Sequence, residues 1–138
     1  MWTLEITLEL TDTSTSSTEV CYLDTNIKTS DNTPFRISIY HKREDFAFRI
    51  VNFPHMGSNI PGNPAYGVYI SQLVRYARIC RSKVDFINRL RGLSLQLRQQ
   101  GFETHLLQKS FNKFFSRHGL IVKKYGAALR EMRLAIQA

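Results

Sequence analysis

Glu44 and Asp45 are the one adjacent pair among the 11 carboxylates of the sequence, and they directly follow Lys42 and Arg43. Opposite charges crowded into a polar stretch read as a solvated cluster rather than as a general acid–base pair. The four histidines, His41, His55, His105 and His118, have no partner four residues away and no glutamate at metalloprotease spacing. Cys21 and Cys80 stand far apart without a CxxC or a neighbouring histidine, which argues against a zinc site or a disulfide framework and for two buried thiols. The stretch from Gly62 to Gly67 reads GNPAYG. It lacks the GK[ST] ending that brings a lysine to phosphates, so it reads as a turn leading into a helix. No catalytic centre, metal or cofactor is expected.

Cations carry the sharper pattern. Residues 1–67 hold 5 Lys/Arg against 8 Asp/Glu, a net of −3, and residues 68–138 hold 14 against 3, a net of +11, which sum to the formal +8. Such an excess on one half creates a positive potential that attracts polyanions, of which nucleic acid is the commonest large one. Solubility alone is the plainer reason for a basic surface. Arg75 and Arg78 are three residues apart, near Tyr69, Gln72 and Tyr76, and are expected on the side away from the apolar stripe. Guanidinium groups beside aromatic rings suit phosphates and stacked bases. Lys109, Lys113 and Arg117 recur every four residues opposite Leu107, Phe111 and Phe114, and Lys123 and Lys124 begin the next helix. A row like this can follow a phosphate backbone. Amphipathic helices also place lysines on any wet face, and the scarcity of acidic residues on four successive helices shifts the balance toward binding.

The elements that must carry these residues change character at about residue 60. Trp2, Leu4, Ile6, Leu8 and Leu10 alternate with polar residues and predict a half-buried strand. The polar stretch Thr11 to Glu19 predicts a mobile connection. A run from Val20 to Lys28, with Cys21, Leu23, Thr25 and Ile27 on one face, is followed by a turn signal, Ser30 to Pro34, and by a second run, Phe35 to Tyr40. The two runs predict an antiparallel hairpin. A further strand is predicted over Phe46 to Phe53. Pro54, Gly57, Pro61, Gly62 and Pro64 make residues 54–66 a loop and a lobe boundary.

Beyond that loop the apolar period becomes about 3.6. Ile70, Leu73, Val74, Ala77 and Cys80 predict a first helix, and Phe86, Leu90, Leu93 and Leu97 a second that ends at Gly101 as its C-terminal cap. Leu107, Phe111 and Phe114 predict a third helix closed near Gly119, and Ile121, Tyr125, Ala128, Met132 and Ala135 a fourth. The fold class is α+β: a small antiparallel sheet of three to four strands followed by a bundle of three to four helices. No apolar run approaches the roughly 18 residues that cross a bilayer, and the N-terminus lacks the order of a secretory signal. An intracellular location, cytoplasmic or nuclear, is expected, with no membrane partner.

Four segments together resemble a known family. They are YLDTNI (Tyr22 to Ile27), FRISIYHKREDFAF (Phe35 to Phe48), IVNFPHMGSNIP (Ile50 to Pro61) and AYGVYISQLVRYARIC (Ala65 to Cys80). In order and spacing they resemble the C-terminal part of reverse transcriptases from invertebrate retroelements, Penelope-like enzymes and their relatives. Those enzymes follow an FLDL strand with a Tyr-x-Lys strand, a proline-containing loop and a helix close to PYSQALRLRRIC. Ser71-Gln72, Arg75, Arg78 and Cys80 are the most specific part of the likeness, which runs from about Leu4 to Met132 and includes Asp85-Phe86, Arg89, Leu97 and Gln100-Gly101-Phe102.

The resemblance implies that residues 1–53 are like the end of a palm, with Tyr22, Leu23 and Asp24 in the hairpin that holds the primer end. By the same likeness residues 67–138 are like a thumb gripping a template–primer duplex, RNA–DNA or RNA, by its backbone. Arg75, Arg78, Lys109, Lys113, Arg117, Lys123 and Lys124 are then phosphate contacts that position without reading sequence. The family's paired aspartates, which hold two metal ions, belong on a strand ahead of this region. Asp12 and Asp24 lack their context, so the expectation is a catalytically incomplete fragment that works with a palm and fingers region or another protein. A freestanding RNA-binding module, a protein-interaction module and a remnant without function are the competing readings. Trp2, Leu4, Leu8 and Ile39 are expected to have packed on palm elements and to be left uncovered, with marginal stability as the consequence.

Overall fold

The computed structural model describes residues 12, 14–30, 32–51 and 53–137. Among the described residues four strands, β1 (Ser14–Ser16), β2 (Glu19–Tyr22), β3 (Thr25–Ser30) and β4 (Thr33–Ile39), precede four helices, α1 (Gly62–Ile79), α2 (Lys83–Gln99), α3 (Thr104–Arg117) and α4 (Gly119–Gln137). The sheet is antiparallel in the order β1-β2-β3-β4. The α+β class with a sheet ahead of a helical bundle is therefore as expected. The strand predicted over residues 2–10 lies outside the described residues.

Three local expectations are corrected. The polar stretch before Glu19 is not merely a connection, because Ser14 pairs with Val20 and Ser16 with Glu19. The run from Val20 to Lys28 is two strands, since Tyr22 faces Thr25 across a two-residue turn with Leu23 at φ 53. No β-strand spans residues 46–53 among the described residues; a 3-10 turn at Lys42–Asp45 leads into an irregular segment in which Phe46, Phe48 and Val51 are exposed. Their alternation finds no strand edge to pair with.

The bundle is built on the 3.6-residue period. Tyr69, Leu73, Tyr76 and Ala77 of α1 meet Phe86, Leu90, Leu93 and Leu97 of α2, Leu107, Phe111 and Phe114 of α3, and Tyr125, Leu129 and Met132 of α4 in one buried cluster. Each large apolar side chain there contributes roughly 1.5–3 kcal/mol relative to exposure. α1 starts at Gly62, inside the predicted loop. Pro64 falls in its first turn, where a missing N–H costs no intrahelical bond. α2 ends in a Schellman arrangement: Gly101 N–H donates to Arg98 O at 3.0 Å and Phe102 N–H to Leu97 O at 3.1 Å. Gly101 stands at φ 82, which glycine adopts without Cβ strain. The Tyr125 hydroxyl donates to the carbonyls of Cys80 and Ala77, satisfying acceptors that the end of α1 leaves open.

Sheet and bundle share a core. Ile39, the last residue of β4, is 1% exposed within the helical cluster, so it is covered by α1 and α2 and needs no further element. Arg81 N–H, in the link between those helices, donates to Ile37 O at 3.1 Å. Cys80 is buried and Cys21 half-buried, and neither forms a disulfide. Among the described residues no helix is long and apolar enough to cross a membrane.

Candidate nucleic-acid interface

The predicted basic row lies where its period puts it. Lys109, Lys113 and Arg117 of α3 are exposed, and Leu107, Phe111 and Phe114 on the opposite side are fully buried. His118 alone separates α3 from α4, its ring stacked on Phe114 at 5.2 Å. Lys123 and Lys124 are exposed early in α4, and the Lys124 ammonium lies 4.8 Å from the Tyr125 ring centroid. Arg78 is exposed on α1. None of Arg78, Lys109, Lys113, Arg117, Lys123 and Lys124 has an ion pair among the described residues. Unneutralised cations of this kind are what a polyanion can use.

Arg75 differs from the others. Its Nη2 lies 2.7 Å from Asp24 Oδ2, so a predicted phosphate contact and a predicted hairpin residue are brought together and neutralise each other. Tyr22 and Leu23 next to Asp24 are 68% and 78% exposed, which leaves the hairpin tip open beside α1. The aromatic neighbours of Arg75 and Arg78 are not a stacking platform. Tyr69 and Tyr76 are core residues, 0% and 2% exposed. Tyr69 Oη lies 3.2 Å from Ser94 Oγ, and burial pushes its hydroxyl up to about 12.

Sequence reading missed a set of ties between sheet and helices. Arg36 of β4 grips Asp85 of α2 through both carboxylate oxygens, with Nε to Oδ2 at 2.8 Å. Arg89 of α2 donates to Glu44 and, at 2.7 Å, to the carbonyl of Ile39. Arg75–Asp24 and Arg89–Glu44 set acids of the sheet side against arginines of the helical side, which explains part of the charge asymmetry, whereas Arg36–Asp85 runs the other way. The signal available in sequence was slight, namely that Asp85 is one of three acids in a half carrying 14 cations.

Glu44 and Asp45 are thus structural, Glu44 through Arg89 and Asp45 as acceptor of the Tyr40 hydroxyl, which is pushed up to about 12 chiefly by that hydrogen bond. They are more specifically engaged than a solvated cluster. His41 is held down to about 4, first by burial and then by the nearby Arg43 and Arg89 charges. His55 lies in the proline loop, where its Nδ1 accepts from Gly57 N–H at 2.9 Å. Among the described residues no group of three His, Cys, Asp or Glu side chains is arranged to hold a metal.

Two clefts adjoin these cations. One, of about 410 Å³, lies between the hairpin tip and α1 and is lined by Asp24, Tyr40, Lys42, Arg43, Phe46 and Arg75 among others. The other, of about 440 Å³, lies between α1 and α3, with Tyr66 and Ile70 on one wall and Lys109 and Lys113 on the other. Comparison of the chain with protein-family models, curated proteins and solved structures found no match.

Proposed function

We propose that the helical half grips the phosphate backbone of a nucleic-acid duplex, RNA–DNA or RNA, and positions it without reading its sequence. The observation that carries this reading is the exposed row of α3, Lys109, Lys113 and Arg117, none of them in an ion pair among the described residues. Only three acids fall in residues 68–138, and one of them, Asp85, is paired with Arg36. Little local negative charge therefore opposes a polyanion. The resemblance to the thumb of a Penelope-like reverse transcriptase points the same way. On this reading residues 67–138 are the thumb-like part, residues 1–53 the palm-end-like part, and the chain performs no polymerisation itself. The exposed Tyr22–Leu23 tip then supports the duplex end near Arg75.

A mobility-shift titration with two primed RNA–DNA duplexes of unrelated sequence tests the proposal. Equal affinity for both at low salt is the expected result, since backbone contacts carry no sequence information. Absence of a shift with either duplex would overturn it. Protein docking is the second reading, favoured by the tilted Phe46–Phe48 ring pair, 5.3 Å between centroids and 45% and 65% exposed. Loss of partner capture on Phe48→Ser, with duplex binding absent, would select it.

A further inference from the structure

We infer that the cleft between the hairpin tip and α1 seats an unpaired nucleotide, its base against the Phe46 ring and its phosphate against Lys42 and Arg43, so that the chain holds a single strand where it leaves the duplex. The cleft encloses about 410 Å³, within the range of small-ligand sites. The 3-10 turn Lys42–Asp45 and the residue after it place Lys42, Arg43 and Phe46 on the wall, beside Tyr40 and Ile50. Arg75 and Asp24 also line the cleft, already joined to each other at 2.7 Å.

The aromatic side of the argument is the Phe46–Phe48 pair, both rings exposed and 5.3 Å apart. Every other ring pair among the described residues has at least one buried member. Two phenyl rings left together in water forgo the gain of burial, and an open aromatic face is what a nucleobase stacks on, whatever the base. The charges supply the other half. Lys42 and Arg43 have no ion pair among the described residues. Arg43 donates to Gln96 Oε1 at 3.0 Å, and a neutral amide leaves its charge uncompensated. The nearby acids are engaged, Glu44 by Arg89, Asp45 as acceptor of the Tyr40 hydroxyl and Asp24 by Arg75. His41, on the same wall, adds no charge at neutral pH, because burial first and then Arg43 and Arg89 hold it down to about 4. A flat apolar ring with guanidinium and ammonium groups beside it is complementary to a base carrying its phosphate.

The strand as source of the nucleotide rests on the duplex-binding reading, whereas the base-and-phosphate chemistry rests on the cleft. Fluorescence anisotropy of the full chain tests the inference with three probes built on one RNA–DNA duplex: blunt, with a short single-stranded overhang, and with the same overhang stripped of its bases. The overhang is expected to tighten binding about tenfold over the blunt duplex, the scale of one base stacked on an aromatic ring, and the base-free overhang to lose most of that gain. Phe46→Ala is expected to remove the gain and leave blunt-duplex affinity unchanged, Phe46→Trp to restore it, and Lys42→Gln to reduce it. Equal affinity for blunt and overhung duplexes, or for overhangs with and without bases, would overturn the base seat and spare the grip. A gain that survives in Phe46→Ala would also overturn it and leave the ring pair to protein docking. Binding of a single-stranded oligonucleotide that is lost in Phe46→Ala, with no binding of the blunt duplex, would sink the grip and uphold the cleft. Competition by a free purine mononucleotide as strong as by the oligonucleotide would overturn the strand as source, and no binding of any probe would overturn both readings.

Discussion

Asp24 Oδ2 stands 2.7 Å from Arg75 Nη2, tying the tip of the β2–β3 hairpin to the outer side of α1. The two side chains are 62% and 33% exposed, so solvent screens the pair and its contribution to stability is below about 1 kcal/mol. Asp24→Asn is expected to leave the urea midpoint nearly unchanged. It also frees Arg75 and removes a negative charge beside the proposed interface, so duplex affinity should rise about threefold at low salt. A fall in affinity, read by fluorescence anisotropy, would make Asp24 part of the contact rather than its brake.

Arg36 and Asp85 make the stronger tie. The Asp85 side chain is 11% exposed and is held by two hydrogen bonds from one guanidinium, a geometry that loses more when one partner is removed. Arg36→Gln and Asp85→Asn are each expected to cost about 1–3 kcal/mol in denaturant unfolding. The double variant should cost less than the sum, with a coupling of about 1 kcal/mol. Additive losses would mean the pair does not join sheet to helix in solution.

His41 links stability to pH. Its ordinary value is 6.5 and burial with two neighbouring arginines lowers it to about 4 in the folded chain. Below about 6.5 the unfolded chain takes up a proton that the folded chain refuses, so this residue's share of stability is present at neutral pH and lost as pH falls toward 4. Glu19 and Asp12 are shifted downward from values of 4.5 and 3.8 by hydrogen bonds, so their losses lie at lower pH. The urea midpoint of wild type should fall from pH 7 to pH 5, and His41→Gln should flatten that fall. An unchanged slope in the variant would remove His41 from the account.

Leu23 sits at φ 53 and is 78% exposed. A left-handed conformation costs an L-residue with a Cβ roughly 1–2 kcal/mol, and glycine avoids it at the expense of a more flexible unfolded chain. Leu23→Gly is expected to stabilise the chain by up to about 1 kcal/mol. Thermal unfolding that moves to lower temperature would show that the leucine side chain makes a stabilising contact.

The helices were legible because one period governs them from Leu73 to Met132, and the row Lys109, Lys113, Arg117 was legible for the same reason. The β2–β3 hairpin was not. Cys21, Leu23, Thr25 and Ile27 continue an alternating pattern through a two-residue turn that contains no glycine or asparagine. Across that turn Cys21 pairs with Asn26 and Val20 with Ile27, so the face assignment built on a single strand fails. Tyr69 and Tyr76 were misplaced because they were grouped with Arg75 and Arg78, whereas Tyr69, Leu73, Tyr76 and Ala77 share the buried face of α1. In the fold they are satisfied internally, against Ser94 and near His41. Arg75–Asp24 and Arg36–Asp85 join residues roughly fifty apart, and a local period carries no information about such pairs.

The salt dependence of duplex binding tests the central claim most directly. Each neutralised phosphate contributes about 0.9 to the slope of log K against log salt for a B-form duplex. Contacts from Arg78, Lys109, Lys113 and Arg117 would give a slope of about −3 to −4. The measurement is fluorescence anisotropy of a primed RNA–DNA duplex across a salt series, for wild type and for Lys109→Gln/Lys113→Gln. A steep wild-type slope that becomes shallower by about 2 in the variant, with weaker binding throughout, is the predicted result. Equal slopes and affinities for the two proteins, or no binding by wild type at low salt, would contradict the claim that this helical face holds a nucleic-acid backbone.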